Sequence, residues 1–457
     1  MSTQRARSLH LNLFLTSTGH HEASWRHPDS PVEHIYTAQH FQRLAQQAED
    51  AKLDAVFFAD IPALSAQIEH GPAGHLEPIT TLASIAAATT HIGLIATAST
   101  TFYEPYNLAR LFSSLDHLSA GRAGWNIVTT ATEIAAENFG VDAFPSPEQR
   151  YARADEFLQA ATRLWDSWED DAIVADRASG RYADPAKIHR ADFHGEHLSV
   201  GGAFSSSRSP QGYPVLVQAG SSNEGRAFAA RWAEAIFTAH QRIEDARAFY
   251  SDIKAGAVAA GRRPEDVVIL PGLSPFIAST AAEAHDLEQQ LNELTVPAYG
   301  LRQLSNLVGV TFDEADLDRP VPLELFEGAG DVTDNSRSRF QVIAGIVERE
   351  RPTLRGLLHR LAGARGHRVL VGTPDQVADS IEEWFTTGAA DGFNVMPPFH
   401  PGGFDAFVEH VVPILQQRGL FRTEYEGRTL RENLGLARPA NQHAVARDAA
   451  SSTAAVA

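Results

Sequence analysis

Polar side chains recur where a parallel barrel would place its reacting groups. Asp60, Thr97, Ser99, Asn126, Thr129, Thr130, Gln218, Ser221 and Ser222 each stand at or just past the end of a short apolar run. Only Asp60 is ionisable near neutral pH, so the set reads as a neutral, hydroxyl-rich rim suited to binding a polar ligand, with no metal-ligand cluster. One corner is more specific. Val215 to Val217 is a buried strand, Gly220-Ser-Ser-Asn223 turns the chain, and Glu224 to Ala233 reads as a helix. The orphan N–H groups and the positive dipole end coincide at such a helix start, which favours an anion. Gly220 and Gly225 would let a phosphate approach the backbone. An ordinary strand-to-helix turn has the same local pattern, so the weight comes from how the chain repeats the unit.

The positioning elements follow from hydrophobic periodicity. Strands are predicted at Leu9–Leu15, Ala55–Ala59, Ile92–Ala96, Trp125–Val128, Val215–Val217, Ala235–Thr238, Val267–Leu270 and Gly392–Met396. Helices are predicted near 38–48, 79–90, 108–118, 151–168, 224–233, 243–260, 374–386 and 404–417. Eight buried strands alternating with helices predict a closed parallel (β/α)8 barrel, a TIM barrel, over residues 1–436. An open doubly wound sheet is the alternative, but Thr16-Ser-Thr-Gly-His-His21 is no dinucleotide fingerprint. Residues 169–213 and 296–366 break the rhythm and read as insertions, both candidate lids. The Ala- and Ser-rich tail, 437–457, reads as disordered.

Composition narrows the class. The chain has 457 residues, 43% of them hydrophobic, and a net charge of −19. That charge disfavours nucleic acid and anionic membranes as partners. No apolar run reaches membrane-spanning length and no apolar leader opens the chain, so the expectation is a cytoplasmic protein. Cys is absent and Met occurs twice. Thiolate nucleophiles and disulfides are excluded, and the low sulfur content has two readings: drift in an Ala-rich chain, or economy in a protein made under sulfur shortage.

Several segments carry a resemblance. They are Ser24-Trp-Arg-His27, Leu115-Asp-His-Leu-Ser-Ala-Gly-Arg-Ala-Gly-Trp-Asn-Ile-Val-Thr-Thr130, Arg150-Tyr-Ala-Arg-Ala-Asp-Glu-Phe157, Gln218-Ala-Gly-Ser-Ser-Asn-Glu-Gly225, Ala390-Asp-Gly-Phe393 and Arg422-Thr-Glu-Tyr425. Together they resemble the bacterial luciferase-like flavin-dependent monooxygenases, in the group of nitrilotriacetate monooxygenase, pristinamycin synthase and dibenzothiophene-sulfone monooxygenase. The resemblance implies an FMN site on the C-terminal face of the barrel, with O2 as co-substrate and reduced flavin delivered by a separate NAD(P)H-dependent reductase. Asp60, Thr97 and Asn126 match positions lining the flavin ring and ribityl chain. Tyr151, Ser221 and Ser222 match phosphate contacts. His20 matches a substrate-facing His, with a proton-transfer or oxyanion-orienting role, although His21 beside it leaves the register open. Asn126 would orient the ring against the reacting centre. Relatives commonly carry His where this chain has Pro147, which removes one possible flavin donor. The resemblance also implies a homodimer or homotetramer.

The low sulfur content then favours an organosulfur substrate, a sulfone or sulfonate whose C–S bond is opened. The alternatives are oxidation of an aminopolycarboxylate or other xenobiotic, for which Arg26, Arg208 and Arg337 are candidate anchors, and a deazaflavin-dependent oxidoreductase on the same barrel.

Overall fold

Strand alternation builds the ring. In β1 (His10–Leu15), Leu11, Leu13 and Leu15 join the core beneath the helices, while Phe14 packs with the cluster inside the ring. The computed structural model describes residues 7–64, 68–72, 76–130, 133–141, 145–219, 223–326 and 334–454. The further strands are β2 (Ala55–Phe58), β3 (Gly93–Ser99), β4 (Ala123–Val128), β5 (Val215–Ala219), β6 (Ala235–Thr238), β7 (Val268–Ile277), β8 (Arg368–Gly372) and β9 (Gly392–Val395). All their pairings are parallel, and the ring runs β1-β2-β3-β4-β5-β6-β7-β9 and back to β1. This is the closed eight-stranded barrel expected from the sequence. β7 is longer than its predicted span of 267–270. Its first half pairs with β6, and its second half leaves the rim to carry β8, which lies outside the ring. The expected strand list has no counterpart to β8, which is only half-buried and sits at the end of an excursion.

The floor of the ring is closed by Leu430, Leu434 and Leu436, which pack against Ala55, Ile95 and Val215. Buried charge surrounds that floor, at residues immediately preceding strands. Asp54 accepts from Leu11 N (2.8 Å) and pairs with His10 (3.0 Å) and Arg422. Asp391 accepts from Ile269 N (3.0 Å) and Tyr250 Oη (2.9 Å) and pairs with Lys254 (3.0 Å). Glu234 pairs with the fully buried Arg431. Arg122 donates to the carbonyls of Ala86, Thr89, Ile92 and Ser119 and to Thr89 Oγ1. Much of the motif content is therefore scaffold. Within Arg150–Phe157, Arg153 ties down the loop after β3, Asp155 accepts from Trp232 (2.7 Å), and Glu156 accepts the N–H groups of Glu196, His197 and Leu198.

The two insertions lie at opposite ends. Residues 169–213 form two hairpins, Ile173–Asp176 with Arg181–Ala183 and Phe193–His194 with Ser199–Val200. They follow a helix and precede a strand, which places them at the strand entrances. Gln211 there donates to Ala123 O and Asp116, and Arg208 pairs with Asp166 at 2.8 Å. The expected lid role for this insertion fails for that topological reason. The second excursion leaves from the C-terminal end of β7 and does reach the mouth. It includes helices Pro297–Val308, Asp334–Glu350 and Leu354–Ala362, which share their own apolar core. The tail expected to lack structure contains a helix, Gln442–Ala454. It is held by Asn441 to Asp166 O (2.9 Å), by Arg447 to Glu169 and by His443 stacked on His189 at 3.8 Å.

Candidate active site at the barrel mouth

Parallel register brings the central pair together. Thr97 on β3 and Asn126 on β4 are direct register partners on the inward face. Asn126 Nδ2 donates to Thr97 Oγ1 at 2.9 Å, and both side chains are buried. Asn126 Oδ1 is buried with no hydrogen-bond partner. An orphaned carbonyl oxygen costs free energy unless a donor fills the site. It is the observation by which this mouth fits a flavin, whose ring carries an N–H donor.

Asp60 lies just past β2 and is partly buried. Burial, with the charge of Glu77 second, pushes its carboxyl up to about 6. Gln218 does not face the mouth. It alternates with Val215 and Val217, which point into the ring, and so sits on the helix side with Leu216. A one-residue phase in a strand decides which face a side chain serves.

Sequence alone left His20 and His21 undecided, and the hydrogen bonds separate them. The loop after β1 runs against the loop after β9, with His20 N to Pro397 O (2.9 Å), His21 N to Pro398 O (3.0 Å) and His400 N to Thr18 O (2.7 Å). Gly19 at φ 133° makes this approach possible, because a Cβ there would lie 2.4 Å from Phe399 Cα. His21 is committed on both nitrogens. Nδ1 accepts from Ala23 N (3.2 Å) and Nε2 lies 3.2 Å from Asn292 Oδ1. His20 Nε2 donates to Phe14 O at 2.8 Å, its ring 4.5 Å from that of Phe14. Burial holds the His20 imidazole well below its ordinary pKa, outweighing the Phe14 carbonyl, and the charge of Arg365 lowers it further. His20 is a neutral ring at physiological pH.

Tyr151 is half-buried near the start of helix Pro147–Trp165, its ring 5.8 Å from that of Phe228 on helix Asn223–Trp232. Ser221 and Ser222 lie outside the described residues. Pro147 is the first residue of its helix, behind a Ser146–Gln149 capping box. Pro147 therefore serves the helix start.

Of the candidate polyanion anchors, one is placed away from the mouth and one lies in the loop after β1 beside Glu22 and Tyr299. Arg208 is buried at the strand entrances with Asp166, and Arg26 donates to Leu294 O. The Arg337 side chain lies outside the described residues. Sequence reasoning missed Glu22 and Arg365, which approach the mouth from the loop after β1 and from the second insertion. His367, stacked on Phe237 at 4.8 Å, was missed as well. Glu22 is adjacent to the His pair and could have been found; Arg365 carried no local signal.

The comparisons agree with this geometry. The family model for luciferase-like monooxygenases matches residues 14–391. The chain is 46% identical to the N-acetyl-S-(2-succino)cysteine monooxygenase of Bacillus subtilis, over 97% of this chain and 100% of that one. It is 44% identical to nitrilotriacetate monooxygenase component A of Aminobacter aminovorans, over 95% and 98%. A solved riboflavin lyase, RcaE, with modified FMN and riboflavin superposes with TM-score 0.83 at 35% identity, over 95% of this chain and 97% of that one. The chain belongs to the luciferase-like monooxygenase family of flavin-dependent oxidoreductases. Its relatives include components of two-component systems, which imply a partner reductase. Among the described residues no helix is long and apolar enough to cross a membrane.

Proposed function

We propose that this chain is the oxygenase component of a two-component system that uses reduced FMN and O2 to oxidise a small organosulfur compound and open a C–S bond. The observation that carries the flavin site is the buried, unpartnered Asn126 Oδ1 beside Thr97. Thr97, Asn126 and Asp60 hold the ring and ribityl chain. Tyr151 and the Ser221–Ser222 corner hold the phosphate, where the start of helix Asn223–Trp232 favours an anion. Bound reduced flavin, with O2, supplies the transferred oxygen atom, and the second oxygen leaves as water. The protein contributes orientation and exclusion of water. His20 keeps Nε2 on Phe14 O, which leaves Nδ1 as the acceptor for a proton at the reacting centre. Taking that proton forms a buried imidazolium, which burial opposes and the hydrogen bond to the Phe14 carbonyl favours.

The absence of Cys and the scarcity of Met support the sulfur reading, as does a 46% identical relative whose named substrate carries a thioether. A second reading, C–N oxidation of an aminopolycarboxylate, is favoured by the nitrilotriacetate relative. The working assembly is a homodimer or homotetramer. The experiment supplies a flavin reductase, NADH, FMN and isotopically labelled O2 with a panel of thioethers, sulfones, sulfonates and nitrilotriacetate, read by mass spectrometry. The expected result is labelled product and C–S opening from a sulfur compound. Turnover of nitrilotriacetate alone would replace this reading with the second.

A further inference from the structure

Beside the mouth lies a cavity of about 230 Å³, between the loop after β1 and the three helices of the second insertion. Leu304, Leu307, Ile343 and Leu358 form its apolar walls, and Glu22 and Arg365 stand at its polar side. Two features make this more than a packing gap. Arg365 is exposed into it, and its guanidinium has no hydrogen bond or ion pair to any described residue. Its backbone is at φ 51°, a left-handed position where a side chain costs about 1 kcal/mol and glycine costs nothing. The turn after helix Leu354–Ala362 thus aims a free cation over an apolar hollow. Glu22 faces the same hollow without an ion pair, and its backbone N–H is fixed on Ala362 O at 3.0 Å.

We propose that this cavity is the subsite for the non-reacting part of the substrate, and that it takes an organic anion: a carboxylate or sulfonate on Arg365 with an apolar body on the leucine walls. The proposal deepens the sulfur-oxidation reading by naming the substrate class as organosulfur acids. Arg365 lines this cavity and its charge acts on His20 at the mouth, so an acid seated here would point the rest of its chain toward the mouth. Burial pushes the Glu22 carboxyl up to about 7, against the opposing pull of Arg365. About half of it is then protonated near neutrality, so it repels the anion less than an ordinary carboxylate would.

The test is a calorimetric titration without flavin, so that it fails or succeeds independently of turnover. The probes are (phenylthio)acetate, (phenylthio)methanesulfonate and methyl (phenylthio)acetate. Either anion should bind wild type about tenfold tighter than the ester, the effect of one charge-assisted hydrogen bond. Arg365→Ala should erase that difference, Arg365→Lys should restore most of it, and ester binding should be the same in all three proteins. Unchanged circular dichroism melting confirms that each variant is folded. Which anion binds better distinguishes carboxylate from sulfonate substrates. Equal binding of acids and ester, or an undiminished preference in Arg365→Ala, overturns the proposal. Failure here alongside C–S opening in the oxygen assay removes the cavity assignment and leaves the activity standing.

Discussion

The two ends of the barrel treat charge in opposite ways. At the strand entrances Asp54 and Asp391 are buried, yet both are held below the ordinary carboxylate range: burial opposes this, but Arg422 with His10, and Lys254, outweigh it. Asp116 and Asp166 are exceptions there, both pushed up by burial, and Asp116 Oδ2 has no partner. At the mouth the fold disfavours charged forms instead. Asp60 rises to about 6, Glu22 to about 7, and His20 falls well below its usual value, with burial the leading cause in each. The entrance end uses most of its polar groups on itself, although Asp116 Oδ2, Ser209 Oγ, Arg422 Nη1 and Arg431 Nε have no partner there. At the mouth burial disfavours charge and Asn126 Oδ1 has no partner, and this matches the division in such barrels between a stabilising N-terminal face and a reactive C-terminal face.

The largest effect should come from breaking the closed end. Glu234→Ala leaves Arg431 buried without its counter-charge and should cost about 3–5 kcal/mol in denaturant unfolding. Adding Arg431→Met should recover much of that loss, because an apolar replacement removes the orphaned charge. At the open end the expected pattern reverses. Asn126→Ala should weaken reduced-FMN binding by about tenfold, while unfolding stability changes by no more than about 1 kcal/mol. A stability loss as large as that of Glu234→Ala would contradict the assignment.

Smaller effects follow from proton linkage. For Asp60 the folded pKa is raised, so folding favours the protonated form. Its contribution is complete below the ordinary carboxylate value of about 4 and is lost as pH rises through about 6. Asp60→Asn should flatten the stability profile across that window. Asp54 and Asp391 have the opposite sign. Their contribution is present above the ordinary carboxylate value and is lost as pH falls through their depressed folded pKa values. Asp391→Asn should therefore lower stability at pH 7 and soften the acid limb, leaving the limb near pH 6 unchanged.

How much of this was legible in the sequence depends on range. Thr97 and Asn126 were readable because strand alternation and parallel register are local rules, and register makes them neighbours. The ring of eight followed from the same rules. Gln218 was misplaced by a single step of alternation. The lid role of 169–213 failed although its place between a helix and a strand already assigns it to the entrance end. β8 was hidden in a long excursion where no neighbouring strand announced its pairing. Arg365 is the clearest limit: its meeting with Glu22 spans most of the chain and depends on a left-handed turn that Gly-Ala-Arg-Gly does not specify.

The central claim is that a neutral polar mouth holds a flavin by its ring and, separately, by its phosphate. Anaerobic titration with reduced FMN and reduced riboflavin, in wild type and in Asn126→Ala, tests both halves at once. Wild type should bind reduced FMN at least about tenfold tighter than reduced riboflavin, and Asn126→Ala should weaken both by the same factor. Equal affinity for the two flavins in wild type, or no effect of the substitution on either, would contradict the account.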